Sequence, residues 1–315
     1  MRRHSALAIA LTSAVALAVT FVFIFPLSFG SQSPSPAPQD FAGLQNVLAF
    51  HFDFYSGSAP KSENGFQSLD SLGIKTIISV DGAIPEVDLA AKYGMRYVHL
   101  PIGYDGFDDA RKAQLVRAVR DLPKPIYLHC HHGKHRSAGA AGTVAVSLGW
   151  LTNEEATKRM KVCGTSSGYK GLWACTAAAA PMSAIAIDAA SNDFPRITKP
   201  NSFVASMVAI DETLDRLRLA EKNGWKAPKD HPDLAPISDA GKLADLFRLI
   251  GEPTETPKSG AETLTELRSW IANEEIKSAE LERMLDNPSA NTSEISQSLA
   301  AIGASCKECH AKYRD

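Results

Sequence analysis

Residues 125–137 read Pro-Ile-Tyr-Leu-His-Cys-His-His-Gly-Lys-His-Arg-Ser. Pro125 to His129 is a short strand-like run, and a helical pattern follows from about Ser137 to Leu148, so the residues between them form a turn from a strand into a helix. Such a turn points backbone N–H groups toward its centre, and the helix dipole adds positive potential there. A thiol in that field ionises more readily, which makes Cys130 a candidate nucleophile. Arg136 supplies a permanent charge on a planar fork that can hold two oxygens of one anion. Gly133 permits the tight turn.

Upstream, Ile74–Val80 is a short β-branched run, Glu86–Tyr93 has a helical pattern and Met95–Leu100 is strand-like. Asp108–Asp121 is an amphipathic helix candidate. Downstream, Thr152 and Glu155 have capping-box spacing for one further helix. This alternation predicts an α/β domain with a mostly parallel sheet and helices on both faces.

The quoted stretch resembles the loop of protein tyrosine and dual-specificity phosphatases, a His-Cys pair followed after five residues by Arg and Ser or Thr. The resemblance covers about residues 41–190 and places a phosphatase domain at 41–192. It implies that Cys130 attacks phosphorus, Arg136 binds the equatorial oxygens, Ser137 eases departure of the sulfur and His129 orients the cysteine. His131, His132, Gly133, Lys134 and His135 would offer the phosphate their backbone N–H groups, with no metal required. In this family an aspartate on a preceding loop protonates the leaving oxygen. His99-Leu100-Pro101-Ile102-Gly103-Tyr104-Asp105-Gly106 looks like that loop, with Asp105 as acid, Asp108 and Asp109 as rivals, and a turn-forming Asp-Gly pair as the plain alternative. The resemblance implies a phosphorylated protein or small phosphoester as substrate. A rhodanese-type sulfurtransferase also cradles an anion beside cysteine, but its loop is one residue shorter. His131, His132 and His135 are expected to tune the charge of the loop near neutral pH, or, with Cys130, to ligate a metal.

From Ser191–Pro200 onward the pattern becomes wholly helical, over about residues 200–222, 234–250, 261–285 and 292–312. Phe203, Met207, Ile210, Leu214 and Leu217 have one-face spacing, and the second domain, 197–315, is expected to be a four-helix bundle. Its last helix carries Cys306-Lys307-Glu308-Cys309-His310, the attachment pattern of covalent haem c. Residues three and four apart share a helix face, so both sulfurs can reach one porphyrin while His310 ligates iron. Ile295, Leu299 and Ile302 extend that face, which would turn the haem toward the bundle interior. The pattern on the final helix, followed by Tyr313 and Arg314, resembles cytochrome c-prime. That resemblance implies His310 as proximal ligand, Arg314 near a propionate and Met207 as a sixth ligand, although Met207 also fits ordinary core packing. A redox partner follows from a haem. Cys163 and Cys175 are left either as a disulfide or as free thiols.

The N-terminus departs from the globular pattern. Arg2, Arg3 and His4 precede an uncharged apolar run from Ala6 to Phe25, so residues 1–30 are expected to be a membrane anchor or a signal cleaved near Ser28 and Gly30. Residues 31–40, with three prolines, form a linker. The remainder is then exported to the periplasm or another extracytoplasmic space. With 33 Lys and Arg against 35 Asp and Glu in 315 residues, a formal net charge of -2 argues against a nucleic-acid partner. Three different readings survive the sequence: an exported phosphatase carrying a haem domain, an electron-transfer or gas-sensing haem protein whose phosphatase-like domain only binds anions, and a sulfurtransferase.

Overall fold

The structure is a computed structural model that describes residues 37–198, 203–227, 235–251 and 261–313. The expected export segment 1–30, the first part of the linker and Arg314 lie outside the described residues. No described helix is long and apolar enough to cross a membrane.

The elements run β1 (Gln39–Phe41), β2 (Leu44–His51), β3 (Phe54–Ser58), α1 (Ser62–Ser71), β4 (Thr76–Ser79), α2 (Val87–Lys92), β5 (Arg96–His99), α3 (Asp109–Asp121), β6 (Ile126–Cys130) and α4 (Arg136–Ser147). They continue with α5 (Asn153–Val162), α6 (Lys170–Ala177), α7 (Ala184–Asp188), α8 (Phe203–Lys222), α9 (Pro236–Ile250), α10 (Ala261–Asp286) and α11 (Thr292–Tyr313). The strands form one sheet in the order β1-β2-β3-β6-β4-β5. β3, β6, β4 and β5 are mutually parallel, whereas β1, β2 and β3 pair antiparallel. The mostly parallel sheet expected from sequence is therefore a mixed one. The antiparallel edge escaped a β-propensity reading because β2 and β3 contain a single β-branched residue, Val47.

Alternation along the strands covers both faces. Ile77, Tyr97 and Tyr127 pack on Phe66 and Leu69 of α1 and Val87 and Ala90 of α2. Ile78, Val98 and Leu128 point the other way, onto Leu115 and Val119 of α3 and Ala141 and Val144 of α4. The capping box forms as expected, with the Thr152 side chain accepting from the Glu155 amide and Glu155 accepting from the Thr152 amide.

The four expected C-terminal helices are present as α8–α11. They share one apolar cluster that includes Leu214 and Leu217, Leu243 and Phe247, Ile271 and Leu281, and Leu299 and Ile302. α9 is unlike its neighbours because it is buried on two sides, with Ser238, Asp239, Gly241 and Asp245 buried as well as its apolar stripe. Its first-turn Ile237 joins the core of the α/β region rather than that of the helices.

Candidate active site

In an open α/β sheet, ligand sites lie beyond the carboxyl ends of parallel strands. Cys130 ends β6 and lies there, 3% exposed. Arg136 begins α4 and is 2% exposed. Between them the chain turns at Gly133, whose φ is +73°. An added Cβ there would fall against the main chain of Gly57 and Ser58, so only glycine lets the loop lie this close to β3.

The loop's carbonyls are held from outside. The Ala59 amide donates to His131 O at 3.1 Å, Asn46 Nδ2 donates to Gly133 O at 2.7 Å, and Thr165 Oγ1 donates to Lys134 O at 2.5 Å. A peptide's N–H points opposite to its C=O, so these anchored carbonyls turn the amides of His132, Lys134 and His135 inward. Among the described residues the amides of His131–His135 have no hydrogen-bond acceptor. Arg136 Nε, also buried, has no partner either. A row of unspent donors around a cysteine, at the start of a helix, has the donors and potential to cradle an anion.

The remaining resemblance-based assignments fall around this cradle. Ser137 Oγ lies 3.3 Å from Cys130 Sγ. His129 is buried beneath the loop, with its Nε2 2.5 Å from the Tyr97 hydroxyl. Burial lowers His129 from 6.5 to about 4. Burial, with Arg248 nearby, lowers His131 to about 3, and burial, with His132 nearby, lowers His135 to about 3. Burial, with Arg248 nearby, likewise lowers His132 to about 4, so His131, His132 and His135 are neutral at pH 7, which corrects the expectation that they tune the loop's charge there. His135 packs its ring 4.4 Å from Tyr169 and accepts from the Ser166 amide. Among the described residues no group of three or more His, Cys, Asp or Glu side chains is placed to hold a metal ion.

Asp105 is exposed, in the turn bridged between Gly103 and Gly106. Its neighbour Tyr104 is the residue that faces inward: the Arg136 guanidinium lies 4.2 Å over the Tyr104 ring and donates to its hydroxyl at 3.0 Å. The rivals are otherwise occupied. Asp108 caps α3 by accepting from the Arg111 amide at 2.7 Å, and Asp109 pairs with Lys112 at 2.6 Å.

Three charged residues that sequence reasoning missed complete the site. Asp245 of α9 takes Arg136 with both oxygens, at 2.6 Å from Nη1 and 3.2 Å from Nη2. Asp81, just past β4, lies 3.5 Å from Arg136 and 3.3 Å from Arg248 of α9. Burial alone would discharge Arg136, but Asp245, Tyr104 and Asp81 hold it firmly protonated. Burial likewise opposes the Asp81 carboxylate, yet Arg136 and Arg248 hold it well below the usual range, whereas burial keeps Asp245 above it. Asp81 had a weak sequence signal, an Asp-Gly pair after a strand; Asp245 and Arg248 had none, being ordinary polar positions of a helix.

No family model and no curated protein matches the chain. Among solved structures it is similar to P. aeruginosa TpbA, at 20% identity over 41% of this chain and 82% of that one, with a TM-score of 0.37. It is similar to P. aeruginosa TpbA in complex with pTyr at 21% identity over 44% and 97% of the two chains, with a TM-score of 0.33. The core catalytic domain of the PP-IP phosphatase SIW14 from S. cerevisiae, in complex with citrate, is 17% identical over 60% and 95%, with a TM-score of 0.31.

The C-terminal thiols lie apart from this cradle. Cys306 and Cys309 are half-buried and pack against the apolar cluster of α8–α11, while His310 is exposed and has no polar partner among the described residues. Met207 packs against the same cluster. Cys163 and Cys175 are free thiols, the first buried and the second half-buried.

Proposed function

We propose that the chain is an exported cysteine-dependent phosphatase that hydrolyses phosphomonoesters through a phosphocysteine. The observation that carries this reading is the set of unspent amides of His131–His135 around Cys130, with the unpartnered Nε of Arg136 beside them. They suit a tetrahedral oxyanion whose charge is spread over equatorial oxygens. The Cys130 thiolate forms an S–P bond as the P–O bond to the leaving group breaks, and Asp105 delivers a proton to the departing oxygen. Water then attacks phosphorus, Asp105 takes its proton, and the S–P bond breaks as the Ser137 hydroxyl, 3.3 Å from Sγ, supports the returning thiolate. Cys130→Ser should abolish hydrolysis of p-nitrophenyl phosphate while inorganic phosphate still binds. Undiminished turnover by that variant would end the assignment.

The second part of the proposal is a covalent haem c on α11 within a cytochrome-like four-helix bundle. The residues fit the group: two thiols three positions apart lie half-buried against an apolar cluster, and the adjacent His310 imidazole is uncommitted. Cys306 and Cys309 would anchor it and His310 would hold the iron; Met207 is accounted for by packing. When bound, haem would supply one-electron chemistry or a gas-binding site. Protein made with an exported c-type maturation system should keep its Soret absorbance through acid-acetone extraction, and Cys306→Ala/Cys309→Ala should lose it.

A further inference from the structure

A phosphatase arginine is expected to keep its fork for substrate, yet the fork of Arg136 is filled by the chain's own carboxylate. Asp245 contacts Nη1 at 2.6 Å and Nη2 at 3.2 Å, and Asp81 adds a second negative charge at 3.5 Å. A phosphate dianion arriving at Arg136 would meet two carboxylates already pairing with it, and like charges at such distances repel strongly where water is excluded.

The obstruction is steric as well as electrostatic. Cys130 and Arg136 are 3% and 2% exposed, too buried for a side chain of another protein to reach. α9 lies across three segments that border the cradle. Gly241 is set against the Tyr104 ring, where an added Cβ would come within 3.0 Å of it. Ile237 packs into the α/β core beside Gly168, and Arg248 reaches Asp81 past β4. α10 adds a further tie, with Tyr169 donating to the buried Glu282. With Tyr104 turned in beneath α9, Asp105 is turned out.

We infer that the helical region is a built-in inhibitor of the cysteine site: α9 covers Cys130, and Asp245 takes the place of a substrate phosphate on Arg136. The inference rests on the phosphatase reading above and names the regulation of that same site. A phosphorylated protein reaches Cys130 only when α9 lifts. Because α9 shares its apolar cluster with α11, a change at the Cys306–His310 segment has a packed route to the lid.

Two full-length variants test it. Asp245→Ala removes the carboxylate. Ile237→Glu puts a charge into the contact between α9 and the α/β core, leaving Asp245 in place and so separating lifting from loss of charge. Each is checked for native thermal unfolding, and either alone suffices if the other does not fold. The first readout is the rate at which iodoacetamide alkylates Cys130, followed by peptide mass; the second is p-nitrophenyl phosphate hydrolysis. Both variants should alkylate faster by about tenfold or more, since loosening a buried ion pair or burying an unpaired charge shifts a docking equilibrium at least that far, and turnover should rise with it. Unchanged alkylation in both would overturn the inference. So would a loss of turnover in Asp245→Ala without faster alkylation, which would make Asp245 a positioning residue for Arg136. Faster alkylation with no hydrolysis by any chain would leave the lid standing and remove the phosphatase reading instead.

Discussion

Gly133→Ala tests the cradle without touching any reacting group. At φ +73° an alanine pays about 1–2 kcal/mol for left-handed backbone. Its Cβ would also lie 2.9 Å from Gly57 O and nearer still to the main-chain carbon of Gly57 and nitrogen of Ser58, where carbon atoms normally sit about 3.5–4 Å apart. β3 cannot give way easily, being paired with β2 on one side and β6 on the other. Overpacking of this kind costs about 1–3 kcal/mol. Urea unfolding should therefore show a loss of about 2–5 kcal/mol. Relief by moving the loop instead shifts the amides of His131–His135 by about 1 Å, which should lower kcat/KM for p-nitrophenyl phosphate about 100-fold. A variant with wild-type turnover and stability within about 0.5 kcal/mol, the range of an ordinary surface substitution, would refute the cradle geometry.

Arg136→Lys keeps the charge but not the fork, so kcat/KM should fall about 10²–10³-fold, the loss typical of removing an oxyanion donor; retention of most activity would remove Arg136 as the clamp. Asp105→Asn should slow poor leaving groups, such as alkyl phosphates, far more than activated aryl phosphates, because only the former need a proton; equal losses would move the acid elsewhere, with Asp81 and Asp245 the carboxylates nearest Arg136. Acid should destabilise the fold through His129, which burial holds neutral down to about pH 4 against 6.5 in the unfolded chain. The unfolded chain binds the extra proton between those values, so stability is intact above pH 6.5, falls as pH drops through the window and levels off below it, a loss of about 3 kcal/mol. His129→Gln, which keeps a polar group for Tyr97, should flatten part of this fall in urea titrations at about pH 7.5 and pH 4.5; an unchanged slope would show that His129 is not responsible.

The strand-to-helix turn around Cys130 was legible because its determinants are local. A β-run, a glycine where the tight turn takes a positive φ, and an arginine at the helix start are all read from neighbours in the chain. The same holds for the capping box at Thr152 and for α8–α11, whose apolar spacing is periodic within each helix. The antiparallel edge was not legible, since β2 and β3 are held by pairing and burial rather than by β-branched residues. Nor was the orientation of the Asp105 loop, because a turn with Tyr104 and Asp105 adjacent can present either one inward, and the guanidinium beneath the ring selects Tyr104.

What the sequence by itself determined was the chemistry available: a thiol, a guanidinium and a helix N-terminus in one turn, and two thiols with an imidazole on one later helix. What only the tertiary structure decided was which charges meet. Asp245 lies 109 residues from Arg136, and Arg248 lies 167 from Asp81. No spacing rule joins them, and each looks like a solvated helix position until α9 packs against the sheet's carboxyl edge. There water is excluded, an unpaired charge is costly, and the carboxylate of one half of the chain becomes the counter-ion of the arginine in the other.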